Sequence, residues 1–178
     1  LRVANSAFYG FPRRIATIQL AIVVLGFETV KNLGLSVTVL KRFSRGTEHR
    51  LFDRERFWEH AIACGVAARM LAQRLRYRLE GEAFVGGLLH DVGKLILIEY
   101  FHPEFSEALE LAEAEGLTIA EAEERVFGVT HADVGGWLAE KWNLHQALVG
   151  TISHHHSLGD GEMPDELVML THVADAIA

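Results

Sequence analysis

The chemistry of this sequence is concentrated in its histidines. There are ten among 178 residues, and several stand near carboxylates. His90 and Asp91 are adjacent in the run Leu88-Leu89-His90-Asp91-Val92-Gly93-Lys94. His60 precedes them and His131 follows. His154, His155 and His156 form a run, and His172 and Asp175 lie three residues apart near the end. Imidazole nitrogen together with carboxylate oxygen suits borderline divalent ions. A neighbouring His and Asp at a helix end can aim into one cavity where the backbone is irregular, and Gly93 would permit that irregularity. Lys94, one helical turn after His90, would set a positive charge beside a bound phosphate. On spacing alone the pair means little, since a lone buried histidine is more often a hydrogen-bonded core residue than a ligand. His49, His102 and His145 fall in loops or at helix ends and read as surface residues. The single cysteine, Cys64, lies one turn after His60 but on an apolar stripe, so it reads as a buried thiol.

The elements that must position these residues are helical. Three prolines and abundant Ala, Leu and Glu favour helix. Thr17 caps a helix that stops at Gly26, and a longer one runs from about Glu28 to Phe43 with Leu33, Val37 and Leu40 on its buried stripe. Residues 44–50 are polar and read as a loop. Asp53 caps a helix of about 20 residues in which Phe57, Ala61, Cys64, Ala68, Leu71 and Leu75 recur at steps of three and four. Leu79-Glu80-Gly81 reads as a break, followed by a helix from Glu82 to Leu89. Leu95 to Phe101 continues apolar. Pro103 opens the next helix, which stops at Gly116. Thr118 with Glu121, and Thr130 with Asp133, begin two more. Gln146 to Ser153 forms another. A loop at Gly159-Asp160-Gly161 precedes a last helix. No strand alternation and no internal repeat is present.

Composition bounds the partners. The apolar fraction is 49% and the charged fraction 23%, which fits a folded globular chain. One cysteine permits no internal disulfide and fits a reducing cytoplasm. No apolar run reaches the length of a membrane span. The first 78 residues carry 14 Lys and Arg against 5 Asp and Glu, a net +9; the rest carry 3 against 19, a net −16. We read this as solvated helical faces that attract each other, ahead of a basic face for an anionic partner. Arg42, Arg45, Arg50, Arg54 and Arg56 cluster near the polar loop but lack interleaved aromatics, so nucleic acid is not expected. Trp58, Trp137 and Trp142 read as core or interface residues.

The ordered series His60, His90-Asp91, His131, His155-His156, Asp175 resembles the ligand order of HD-domain phosphohydrolases. Three blocks are similar to the HDOD (HD-related output domain) family: Phe57-Trp58-Glu59-His60-Ala61, Ala83 through Lys94, and His131-Ala132-Asp133-Val134-Gly135-Gly136-Trp137-Leu138. So are Val3-Ala4-Asn5-Ser6-Ala7-Phe8-Tyr9-Gly10 and Ala21-Ile22-Val23-Val24-Leu25-Gly26-Phe27. The resemblance covers essentially the whole chain. It implies an all-α fold, an HD-like helical bundle over 51–178 with an additional helical subregion over 1–50. It implies one domain over 1–178; the start, Leu1-Arg2-Val3-Ala4-Asn5-Ser6, has no initiator Met, so the chain is expected to begin inside a helix of a longer protein. It implies a bacterial signalling output module that works with signalling partners or a fused sensory domain. The metal ligands implied are His60, His90, Asp91, His131, His155, His156 and Asp175, holding divalent ions such as iron or manganese. Asp91 and Lys94 would be catalytic toward a phosphate-containing ligand, and His154 and His172 would orient ligands. The related HD-GYP phosphodiesterases carry Gly-Tyr-Pro after the paired histidines; here His156 is followed by Ser157-Leu158-Gly159-Asp160-Gly161-Glu162-Met163-Pro164, which argues against cyclic di-GMP hydrolysis. Three readings stay open: an output domain with a metal pocket, a working metal-dependent phosphohydrolase or phosphodiesterase, and a helical scaffold without metal.

Overall fold

The computed structural model describes residues 5, 15–43, 49–78, 80–157 and 165–178. The sequence blocks at 3–10, the polar segment at 44–48 and the stretch 158–164 after the paired histidines lie outside them, apart from Asn5. The fold is all-α. Among the described residues there are ten helices and no strand, the one β-type pairing being an isolated bridge between His49 and Phe52. No single helix is long and apolar enough to cross a membrane.

Local chemistry sets most of the boundaries. Helix α1 spans Ile18–Leu25; the Thr17 hydroxyl accepts from Leu20 N–H at its start, and Gly26 ends it at φ 86°. Helix α2, Phe27–Phe43, follows directly. Its buried face carries Asn32, Leu33, Ser36, Val39 and Phe43, while Val37 is only half-buried. Of the expected stripe, Leu33 is buried as expected and Val37 is not, and the Leu40 side chain lies outside the described residues. Helix α3, Arg54–Leu75, starts where the Asp53 carboxylate accepts from Glu55 and Arg56 N–H, and ends at Arg76 in the left-handed region. That turn does the work expected of Leu79-Glu80-Gly81. Glu80 and Gly81 already belong to α4, Glu80–Leu89, whose first turn gains from acidic residues. Gly81 is small where α2 crosses: an added Cβ would sit 3.1 Å from the Thr29 methyl.

Helices α5 (Val92–Tyr100), α6 (His102–Glu115), α7 (Ile119–Phe127) and α8 (His131–Lys141) follow. Thr118–Glu121 and Thr130–Asp133 form reciprocal capping boxes on α7 and α8 as expected. Helix α9 spans Gln146–His154 and α10 spans Glu166–Ile177. The main core joins Cys64, Ala68 and Ala72 of α3 to Val85 and Leu89 of α4, Leu148 and Ile152 of α9, and Leu167 and Leu170 of α10. Cys64 is a fully buried thiol, as expected. Gly87 lets α4 approach the α3 backbone, since a Cβ there would lie 2.8 Å from Cys64 carbonyl atoms. Leu97, Ile98 and Phe105 form a second cluster under α5–α7. Trp58 and Trp142 pack against the main core, whereas Trp137 is exposed. Ion pairs Arg54–Glu99, Arg50–Glu113 and Arg69–Glu80 link the basic part of the chain to the acidic part, in line with mutually attracting faces.

Candidate metal centre

Five elements deliver side chains to one point. Helix α3 brings His60. The junction of α4 and α5 brings His90 and Asp91, the latter at the N-cap of α5 with no capping bond of its own. His131 is the first residue of α8, and His155 and His156 follow the end of α9. Asp175 comes from α10. Its Oδ1 lies 3.0 Å from His60 Nε2 and 3.4 Å from His90 Nε2. Asp91 stands at the centre. Its Oδ2 faces His90 Nε2 at 3.4 Å and Lys94 Nζ at 2.5 Å; its Oδ1 faces His131 Nε2 at 3.1 Å and His155 Nε2 at 3.5 Å. His131 Nε2 is also 2.9 Å from His156 Nε2.

Two ligand sets can be drawn from these atoms: His60, His90 and Asp91, and Asp91, His131, His155 and His156. Within each set the donor atoms lie within 4.8 Å of one another, and Asp91 belongs to both. The cluster could thus bind metal, and its unpaired atoms fit that use. His90 Nε2, Asp91 Oδ1 and His155 Nε2 are buried and make no hydrogen bond. Buried polar atoms without partners are costly, and cations in the two sets, with Asp91 common to both, would satisfy all three.

The opposite edge of each ring is tethered. His90 Nδ1 donates to the Gly87 carbonyl at 2.7 Å and His155 Nδ1 to the Ile152 carbonyl at 2.8 Å. His131 Nδ1 donates to Glu123 Oε2 at 2.6 Å. These bonds place the proton on Nδ1 and leave Nε2 facing inward, the arrangement that ligating histidines use. His172 Nδ1 donates to the His155 carbonyl at 2.7 Å, so it braces the segment that carries His155. His154 does not take the supporting role expected of it. It is exposed, and its Nδ1 bonds back to the Gly150 carbonyl.

Glu123 is the supporting residue that sequence reasoning missed. It is fully buried, and Oε2 accepts from both the backbone N–H and the ring of His131. A signal existed. On α7, Ile119, Ala122, Glu123 and Val126 follow the i, i+3, i+4, i+7 pattern, so a carboxylate occupies a place where an apolar residue belongs. Gly93 does not provide the irregular backbone expected of it; it is helical, within α5. A Cβ there would lie 1.9 Å from the His131 carbonyl oxygen, so Gly93 is needed for α5 to touch the start of α8.

Electrostatics divide the set. Burial alone would lower the His90 pKa, but the Asp91 charge and the nearby Asp175 carboxylate raise it well above the usual value. For His131, burial and Lys94 are likewise outweighed by Asp91 and Glu123, and its pKa is raised. Burial opposes the Asp91 charge, yet His90 and Lys94 hold its pKa well below the carboxylate range. Burial lowers His155, and burial with the neighbouring His155 and His131 takes His156 down to about 3. The centre opens into a cleft of about 700 Å³ whose lining includes His60, Asp91 and Lys94.

Comparison with known proteins agrees with this architecture. Residues 1–158 match the family model of the HDOD domain. The chain is similar to a crystal structure of an HDOD domain protein with unknown function from Geobacter sulfurreducens, with a TM-score of 0.78, 30% identity, and coverage of 98% of this chain and 58% of that one. It is similar to a protein of Shewanella amazonensis SB2B proposed to be a phosphohydrolase, with a TM-score of 0.74, 28% identity, and coverage of 99% and 61%. It is also 30% identical over 152 residues to ribonuclease Y of Clostridium perfringens, covering 85% of this chain and 24% of that protein.

Proposed function

The chain belongs to the HDOD domain family, and from that premise we propose that it is a regulatory output domain whose histidine–aspartate centre holds divalent ions and acts on a phosphate ester. One observation carries the reading: buried His90 Nε2, Asp91 Oδ1 and His155 Nε2, none of them hydrogen-bonded, are brought together from two segments, the α4–α5 junction and the end of α9. Two ligand sets sharing Asp91 favour a pair of ions. Nitrogen and oxygen donors in that number suit six-coordinate iron or manganese better than a four-coordinate structural zinc. His60, His90, Asp91 and Asp175 would hold one ion, and Asp91, His131, His155 and His156 the other. Bound ions would lower the pKa of a water and polarise a phosphoryl oxygen.

The chain's own groups supply the rest. Lys94 pairs with Asp91 Oδ2 and also lines the cleft, so its ammonium is available to the charge that develops on a phosphate. The Nδ1 tethers hold the imidazoles in place without help from the ligand. The similarity to ribonuclease Y and to the Shewanella protein supports phosphate-ester chemistry for this segment. As an output domain it would pass its state to a signalling partner or a fused sensory domain.

The test is elemental analysis of untagged protein before and after reconstitution with Fe(II) or Mn(II), with His90→Ala and Asp91→Ala as controls. Bound metal in the parent, lost in both variants, is the expected result. Hydrolysis of bis(4-nitrophenyl) phosphate, nucleotides or an RNA oligonucleotide should disappear with it. Sub-stoichiometric metal after reconstitution would overturn the reading. Full metal with no turnover of any of these would reduce it to a metal-holding scaffold.

A further inference from the structure

The cleft beside the metal centre changes character along its length. His60, Asp91 and Lys94 make one end polar, and Phe52, Leu109 and Ile119 make a wall that is apolar and half-buried. The three wall residues come from separate segments: the turn before α3, the middle of α6 and the first turn of α7. The wall is backed by fixed rings. Phe52 lies 5.7 Å, centroid to centroid, from both Phe57 and Phe105, and those two are buried. Rigid apolar surface facing a roomy cleft offers binding free energy to whatever covers it. At about 700 Å³ the cleft is in the range of sites for whole small molecules, with far more room than a phosphate group fills. Arg50 and Arg56 also line the cleft, together with the Asp53 carboxylate. Their partners, Glu113 at 3.2 Å and Asp53 at 3.7 Å, are exposed, so these pairs hold the arginines weakly.

We infer that the cleft selects phosphate esters whose organic part is a flat apolar group of aryl size, lying against Phe52, Leu109 and Ile119 with the phosphate at the Lys94 end. The inference rests on the phosphate-site reading above. It can fail independently, because it concerns the organic part alone.

Calorimetric titration of the Mn(II)-loaded protein with inorganic phosphate, glycerol 3-phosphate and phenyl phosphate tests it. Phenyl phosphate should bind about tenfold more tightly than glycerol 3-phosphate, the gain from covering roughly 55 Å² of apolar surface. The double variant Leu109→Gln, Ile119→Gln should lose that preference while keeping its affinity for inorganic phosphate. Ile119→Trp, which fills the cleft and keeps the wall apolar, should lose it too and covers the case in which the double variant does not fold. Equal affinities for the two esters in the parent, with phosphate still bound, would overturn this inference alone. So would a preference that survives in every folded variant. Failure of all three anions to bind would overturn the phosphate site itself, and this inference with it.

Discussion

Glu123 shows how much one buried side chain can govern without touching a ligand. It fixes both the ring and the backbone N–H of His131. Glu123→Gln keeps the shape but removes the charge behind the ring, and loss of such a partner lowers metal affinity about 10–100-fold. Competition against a fluorescent chelator would read this directly, and an unchanged affinity would remove Glu123 from the site. A second expectation follows from the divided protonation of the cluster. His90 and His131 have raised pKa values, while His155 and His156 are lowered and already neutral. A ligating imidazole must be neutral, so an entering ion displaces protons from His90 and His131. Affinity should therefore rise as the pH is raised through their elevated pKa values, and fall below them. Titrations in two buffers of different ionisation heat would count the released protons, and no release near neutral pH would contradict the account.

At the scale of elements, the close contact of α5 and α8 sets the geometry. Gly93→Ala would push a methyl into the His131 carbonyl and the Gly135 N–H. Overpacking of this kind costs about 1–3 kcal/mol or more. A lower denaturant midpoint and weaker metal binding should appear together, because the displaced residue is a proposed ligand. The same contact marks the limit of what the sequence could tell. The clustered His and Asp residues were legible because their ordered series resembles a family, and the caps at Thr17, Asp53, Thr118 and Thr130 were legible because capping is local chemistry. The role of Gly93 was not, since it depends on a helix some 40 residues further on. Glu123 was hidden for a similar reason: its partner is a ring delivered by the next helix. The break at 79–81 was misplaced because Arg76, with a left-handed backbone, makes the turn instead of a glycine.

For the whole molecule, the centre gathers residues from α3, the α4–α5 junction, α8, the end of α9 and α10, so metal occupancy should be felt as global stability. Free ion at 100 times its Kd would add about 2.7 kcal/mol. For a chain of this size that is a rise in Tm of roughly 5–10 °C. Calorimetric scans with Mn(II) and with a chelator would check it, and coincident transitions would contradict it. His60 and Asp175, which meet at 3.0 Å, stand 115 residues apart in the chain. An ion gripping both would act as a cross-link over a long loop, the kind of constraint whose effect grows with the length of chain it closes. With Cys64 alone, this sequence cannot make such a bond from sulfur. The metal centre would be its staple instead, indifferent to reductants and opened by a chelator.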